Sequence, residues 1–289
     1  WHWPLPSKEV VSAFPQWSRQ IGELASMPPW SPTLLRWTLL FLPVTPWLLW
    51  RAARGNRDRA GWFWLPLLLM LVGLACWQAR WGYFLALVFS MSLPWQLAAL
   101  PRRWMALALF GVGLWPVAVE WSGQWFPAPA ERALRAESRA DQVALRDLAL
   151  QLRLLAREQS PLPVLAPWWQ SPALAYWSGQ PCVAGSSHES LPGTVDASRF
   201  YLSEEPEAAE AILDRRQVAC VVAYEPTRVV AVSRGVLGLE GGEPEPPQSM
   251  AVALYRHPHS IPSFLKLAYA NRAFRLFLRP AVMPVQPRP

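Results

Sequence analysis

Trp168 and Trp169 stand side by side just after the short apolar run Pro163–Ala166, and Gln170, Ser171 and Pro172 follow them. Paired indoles beside a strand can fill a core, or present flat faces and an N–H to a ligand. Glu23 lies in a polar segment ahead of the first long apolar stretch, where a carboxylate is either solvated or available to a cation. Arg80 occupies a short turn between two apolar stretches, and a guanidinium there either reaches out to water or meets a substrate. His188 and Glu189, in the Gly- and Ser-rich run GSSHES, could line a substrate groove or have no special role. His257 and His259 flank Pro258, a spacing that suits a metal only with further ligands. The sequence has no other Cys and His at metal-ligand spacing, no Gly-rich phosphate loop after a strand, and no Ser, His and acid set recognisable by spacing.

The elements that must hold these residues are of two kinds. Leu34–Trp50, Gly61–Gln78, Trp81–Leu100 and Trp104–Trp121 are apolar and approach the roughly 20 residues a helix needs to cross a bilayer. Charge within them is confined to Arg36 and Glu120 near the ends, and Trp37, Trp50, Trp62, Trp64, Trp77, Trp81, Trp104 and Trp121 gather toward the boundaries like an interfacial belt. Pro43, Pro46, Pro66, Pro94 and Pro116 are tolerable in that setting, since neighbouring helices re-satisfy the freed carbonyls. Arg51, Arg54, Arg57 and Arg59 crowd the first connection and Arg102 and Arg103 the third, against Arg80 alone in the second. The first and third connections are therefore expected on the cytoplasmic side. The formal charge of +7 belongs partly to this bias and does not point to nucleic acid. The chain opens at Trp1 without an initiator Met, and the expectation is of a fragment with further spans upstream.

The remainder is water-compatible. Leu145, Leu148, Leu152 and Leu155 share one face of an expected helix over Pro129–Gln159. Pro163–Ala166, Cys182–Ala184 and Val218–Tyr224 read as strands, Glu204–Arg216 as a helix, and Gly235–Gln248 as a loop. Ser249–Arg279 reads as helix with a final strand, and the alternation suggests a small α/β sandwich around a partly parallel sheet. Cys182 and Cys220 are either buried free thiols or a disulfide. The fold class expected is thus a membrane α-helical region of four transmembrane helices followed by a mixed α/β extracytoplasmic domain. Its divisions are an extracytoplasmic loop segment (1–33), a four-helix transmembrane region (34–122), a linking helix (123–160) and the extracytoplasmic domain (161–289). This is the layout of a multi-pass protein of the cell (inner) membrane.

The run Ala166–Pro172 (APWWQSP), with Ala175–Pro181 (AYWSGQP) after it, resembles the start of the soluble domain in oligosaccharyltransferase catalytic subunits. Those proteins belong to the GT-C superfamily of membrane glycosyltransferases. Ala209–Tyr224 (AEAILDRRQVACVVAY) is similar to the family's following helix and strand, Gln78–Tyr83 (QARWGY) to its external arginine turn, and Ile21–Leu24 (IGEL) to its external-loop motif that includes a glutamate. The matches fall in the family's order. The resemblance implies a transferase that takes sugar from a polyprenyl-phosphate-linked donor to a peptide or other extracytoplasmic acceptor, with a divalent cation, Mg or Mn, in the complete protein and none held by this part alone. It further implies that Glu23 serves the metal or the acceptor nitrogen, that Arg80 steers the acceptor, and that Trp168 and Trp169 pack against it. In the family's Trp-Trp-Asp-Tyr-Gly motif the residues after the Trp pair grip the acceptor hydroxyl; here Gln170, Ser171 and Pro172 replace them, so the acceptor need not be a sequon. The rival expectation is a non-catalytic, membrane-anchored binding module of an envelope assembly, with membrane lipid as its other partner.

Overall fold

A computed structural model describes residues 8–22, 24–55, 60–156, 161–239, 241, 244–259 and 261–280. The chain divides into two compact units, residues 21–132 and residues 1–20 with 133–289. Segment 1–33 is therefore not one loop. It opens with α1 (Lys8–Gln20), an amphipathic helix that belongs to the larger unit and buries Trp17.

The smaller unit is helical. The stretch expected as a first span, Leu34–Trp50, is broken into α2 (Pro32–Trp37) and α3 (Thr45–Gly55). The reason is local. Leu39 and Leu40 turn with φ of 49° and 61°, the Thr38 hydroxyl donates back to the Leu34 carbonyl at 3.0 Å, and Pro43 brings no N–H to a continuing ladder. Next come α4 (Ala60–Trp77), a 3₁₀ turn at Ala79–Trp81, α5 (Gly82–Ala98) and α6 (Arg103–Trp125). Helices α3, α4 and α5 pack on one another, and α6 passes close to the break, where a Cβ on Gly113 would lie 2.6 Å from the Leu39 carbonyl oxygen. A buried polar chain ties α3 to α5. Thr45 Oγ1 donates to Gln96 Oε1 at 2.9 Å, and Gln96 Nε2 donates to Ser92 Oγ at 2.9 Å. Among the described residues one helix, α6, is long and apolar enough to cross a membrane; α4 and α5 are apolar but shorter. Four crossings are thus not shown among the described residues.

The larger unit is mixed α/β, mostly helical with a small sheet. Helix α7 (Pro129–Ala156) buries Ala144, Leu145, Leu148, Ala149 and Leu152 on one face, as their spacing predicts. After it come β1 (Val164–Leu165), α8 (Ser171–Ser178), α9 (Leu191–Leu202), α10 (Pro206–Arg215), β2 (Cys220–Ala223), α11 (Pro226–Leu237), α12 (Met250–Arg256), β3 (Lys266–Ala270) and β4 (Arg275–Leu278). The sheet order is β1-β2-β4-β3, with β1 parallel to β2 and the other pairs antiparallel. The fully buried β2 has no polar side chain, as a central strand covered on both faces requires. The run Cys182–Ala184 contributes a single parallel bridge, Val164↔Cys182, rather than a strand.

That bridge decides the cysteine question. Val164 is paired with Cys220 on one side and Cys182 on the other, so the Cα atoms of the two cysteines are separated by two inter-strand spacings, about 9.6 Å, beyond the ~7 Å Cα–Cα limit for a disulfide. Both are free, and burial pushes each thiol up to about 12.

Candidate functional site

Strands β1 and β2 run parallel, and the chain leaving each carboxyl end turns into a helix. Ligands in α/β sheets collect at such ends, because loops there are free to vary while the strands stay fixed. After β1 the backbone runs through Ala166 and Pro167 into a tight turn, Gln170 N–H donating to Pro167 O at 2.9 Å, and α8 starts with Pro172 in its first turn. After β2, the Glu225 carboxylate accepts from the Thr227 and Arg228 N–H groups at 3.0 and 2.8 Å and so caps α11. Between these turns and α7 lies an open groove of about 860 Å³.

The Trp pair is divided by the turn. Trp168 meets Trp17 of α1 edge-on, ring centroids 6.2 Å apart, while Trp169 lines the groove with the Arg228 guanidinium 5.4 Å from its ring centroid. The two indoles touch each other at 6.1 Å, nearly perpendicular. Gln170 also lines the groove. It is only 8% exposed, and its Oε1 is buried without a hydrogen-bond partner, as is Trp169 Nε1.

Most of the other lining residues lie outside the resembling runs. Trp177, the penultimate residue of α8, lines the groove with Arg146 of α7 4.9 Å from its ring centroid. Tyr224 stacks on Phe274 at 4.9 Å and donates its hydroxyl to Asp141 Oδ2 at 3.0 Å. Burial first, and then that bond to an anion, hold the Tyr224 phenol above its ordinary range. Asp141 also accepts from Arg272. Trp177 stands inside the run AYWSGQP, so a motif pointed to its neighbourhood. Arg146 was hidden among the charged residues of a helix read as structural, and Arg228 among the valines of α11.

The remaining expected residues fall elsewhere. His188 is exposed in a 3₁₀ turn at His188–Ser190 and does not line the groove. Arg80 is exposed in the Ala79–Trp81 turn of the smaller unit, its guanidinium 5.8 Å from the Trp81 ring centroid. Glu23 lies outside the described residues, yet its chain neighbours are close to that turn. Ala79 N–H donates to Ala25 O at 3.0 Å, and Met27 N–H donates to Cys76 O at 3.0 Å. The segment just after IGEL is thereby bonded to the segment just before Arg80. Among the described residues no group of three His, Cys, Asp or Glu could hold a metal ion.

No family model matches the chain, and a search of curated proteins gives no match. Among solved structures it is similar to the C-terminal globular domain of an oligosaccharyltransferase from Archaeoglobus fulgidus. The TM-score is 0.36 at 15% identity, over 46% of this chain and 94% of that domain. A likeness of that size carries no inference about chemistry.

Proposed function

We propose that this chain acts as the C-terminal portion of a polytopic membrane glycosyltransferase of the GT-C type, similar to oligosaccharyltransferase catalytic subunits. In this reading it transfers a sugar from a polyprenyl-phosphate carrier to an extracytoplasmic acceptor. The observation that carries the reading is the Trp168–Trp169 pair at the carboxyl end of β1, with Trp169 on a groove and the other resembling runs in the family's order along the chain. A membrane setting is supported by the helices of the smaller unit. Phe63, Leu69, Met70, Phe84, Leu87, Met91, Leu107, Val112 and Trp115 all lie exposed on α4, α5 and α6, more apolar surface than water tolerates on a soluble unit. Helices α4 and α5 complete the membrane part beside α6.

In this reading Arg80 of the smaller unit steers the acceptor, as the resemblance implies. Within the larger unit Trp169 offers a ligand a ring face and Gln170 a carboxamide, and Trp168 packs against Trp169. His188, exposed away from the groove, is given no contact there. A divalent cation, Mg or Mn, supplies charge neutralisation for phosphate leaving groups in this reaction class. The described residues do not form a site for one, and no step is assigned to it.

The test uses Glu23, the expected carboxylate of the reacting centre. Radiolabelled sugar transfer from a polyprenyl-phosphate donor is measured in membranes carrying the complete protein, with and without Glu23→Gln. Transfer should fall at least about 100-fold with folding intact. An unchanged rate would return Glu23 to the solvated carboxylates. Absence of transfer by the unaltered protein would leave an anchored extracytoplasmic binding module as the better reading.

A further inference from the structure

The groove beside Trp169 has a composition that selects among ligands. Its volume of about 860 Å³ falls in the range of small-ligand sites. Two large apolar rings, the indoles of Trp169 and Trp177, line it, each with a guanidinium over its ring at 5.4 and 4.9 Å. Its acids, Glu137, Asp141 and Glu225, equal its bases, Arg139, Arg146 and Arg228, so no net charge is available to draw in an anion. Two of those acids are already engaged, Asp141 by Tyr224 and Arg272 and Glu225 by the first turn of α11. The formal balance gives phosphate-bearing and acidic ligands no net attraction, and the engaged acids leave Arg146 and Arg228 to meet the polar rim of a ligand.

A peptide is disfavoured for a different reason. Extended peptides gain affinity by adding a strand to an exposed sheet edge. The groove is walled by α7, α8 and the turns after β1 and β2, and it presents no strand edge among the described residues. What remains is a neutral ligand with apolar faces and a rim of groups that both donate and accept. Gln170 supplies the matching partner, a carboxamide 8% exposed whose Oε1 has no hydrogen bond within the protein.

We infer that this groove is a binding site for a neutral saccharide, its pyranose rings lying against Trp169 and Trp177 and its hydroxyl rim meeting Gln170 and the two arginines. The C–H face of a pyranose is weakly positive and suits the negative face of an indole, while rim hydroxyls satisfy amide and guanidinium groups at once. Naming that saccharide as the acceptor rests on the transferase reading above; its binding does not.

The experiment titrates the full chain in lipid nanodiscs, free of sugar-headed detergent, with chitotetraose, maltotetraose and an uncharged Asn-Ala-Thr peptide. Binding is followed by tryptophan fluorescence and saturation-transfer NMR. At least one tetrasaccharide should bind, and Trp177→Ala should weaken it at least about tenfold. Trp177 is 38% exposed, so the variant keeps its fold, and Arg146→Ala provides a second, milder loss at the same ring. The inference is overturned by failure of both tetrasaccharides to bind, by binding that both variants leave unchanged, or by Trp177-dependent binding of the peptide instead. Loss of sugar transfer with saccharide binding intact would count against the proposed reaction and leave the binding site standing.

Discussion

Trp168 and Trp169 share a sequence position in all but one step, yet their surroundings give them different work. Trp168 is wedged between Trp17 and Trp169, whereas Trp169 has the groove and Arg228 beside it. Truncating Trp168 to Ala should cost about 3 to 5 kcal/mol, the range for a large aromatic taken from a packed site. Trp169→Ala should cost less than half of that, read by denaturant unfolding of both variants, and should weaken ligand capture at the groove. Equal losses would assign both rings to packing. The buried thiols make a pH prediction with a definite sign. Their folded pKa lies near 12 and their ordinary value is 9.0, so the contribution is complete below pH 9 and is lost as pH rises toward 12. At pH 10 each thiol should have removed roughly 1 kcal/mol of stability relative to pH 7, and Cys220→Ala should flatten that slope by one thiol's share. Residue types and order made the Trp pair legible in the sequence. Arg146 and Arg228 were not, because a guanidinium on a helix surface looks the same whether it faces water or an indole.

At the scale of elements, the strands and helices whose patterns were least mixed were readable. The buried runs at β1 and β2, the acidic start of α10 and the leucine face of α7 all fall where periodicity and capping put them. Helices α8, α9 and α11 carry conflicting signals. The sequence PTRVVAVSRGVL of α11 is rich in β-branched residues, and helix wins there through the Glu225 cap, through Gly238 in the left-handed region at φ 68°, and through packing on α1 and α9. The first expected span failed for the complementary reason, a run apolar enough for one helix but broken by its own backbone at Leu39 and Leu40. Helix α9 rests against the chain at Val183 with no room to spare, since a Cβ on Gly193 would lie 1.8 Å from the Val183 carbonyl oxygen. Gly193→Ala should therefore destabilise the larger unit by about 3 kcal/mol, measured as a shifted urea midpoint at unchanged slope. An unshifted midpoint would mean that α9 gives way freely at this contact.

For the whole molecule, the arginine bias of the connections predicts which face each part meets. With Cys76 replaced by Ala, a cysteine introduced at Asn56, which lies outside the described residues, should resist an impermeant maleimide in intact cells. One at the exposed Ser187 should react. The native Cys220, buried, and Cys182, half-buried, will add little background, both being held in the thiol form. The reverse labelling pattern would invert the molecule and remove the extracytoplasmic groove from the proposed reaction. On an oxidising face those two cysteines also set a condition on biogenesis. Strand β1 keeps them apart by lying between them, with Val164 paired to both. In the unfolded chain nothing does so, and a disulfide closed at that stage would bar β1 from its slot. Productive folding is then a race between the docking of one two-residue strand and the arrival of an oxidant, and a reductant supplied during synthesis should raise the yield of native protein by slowing the second runner.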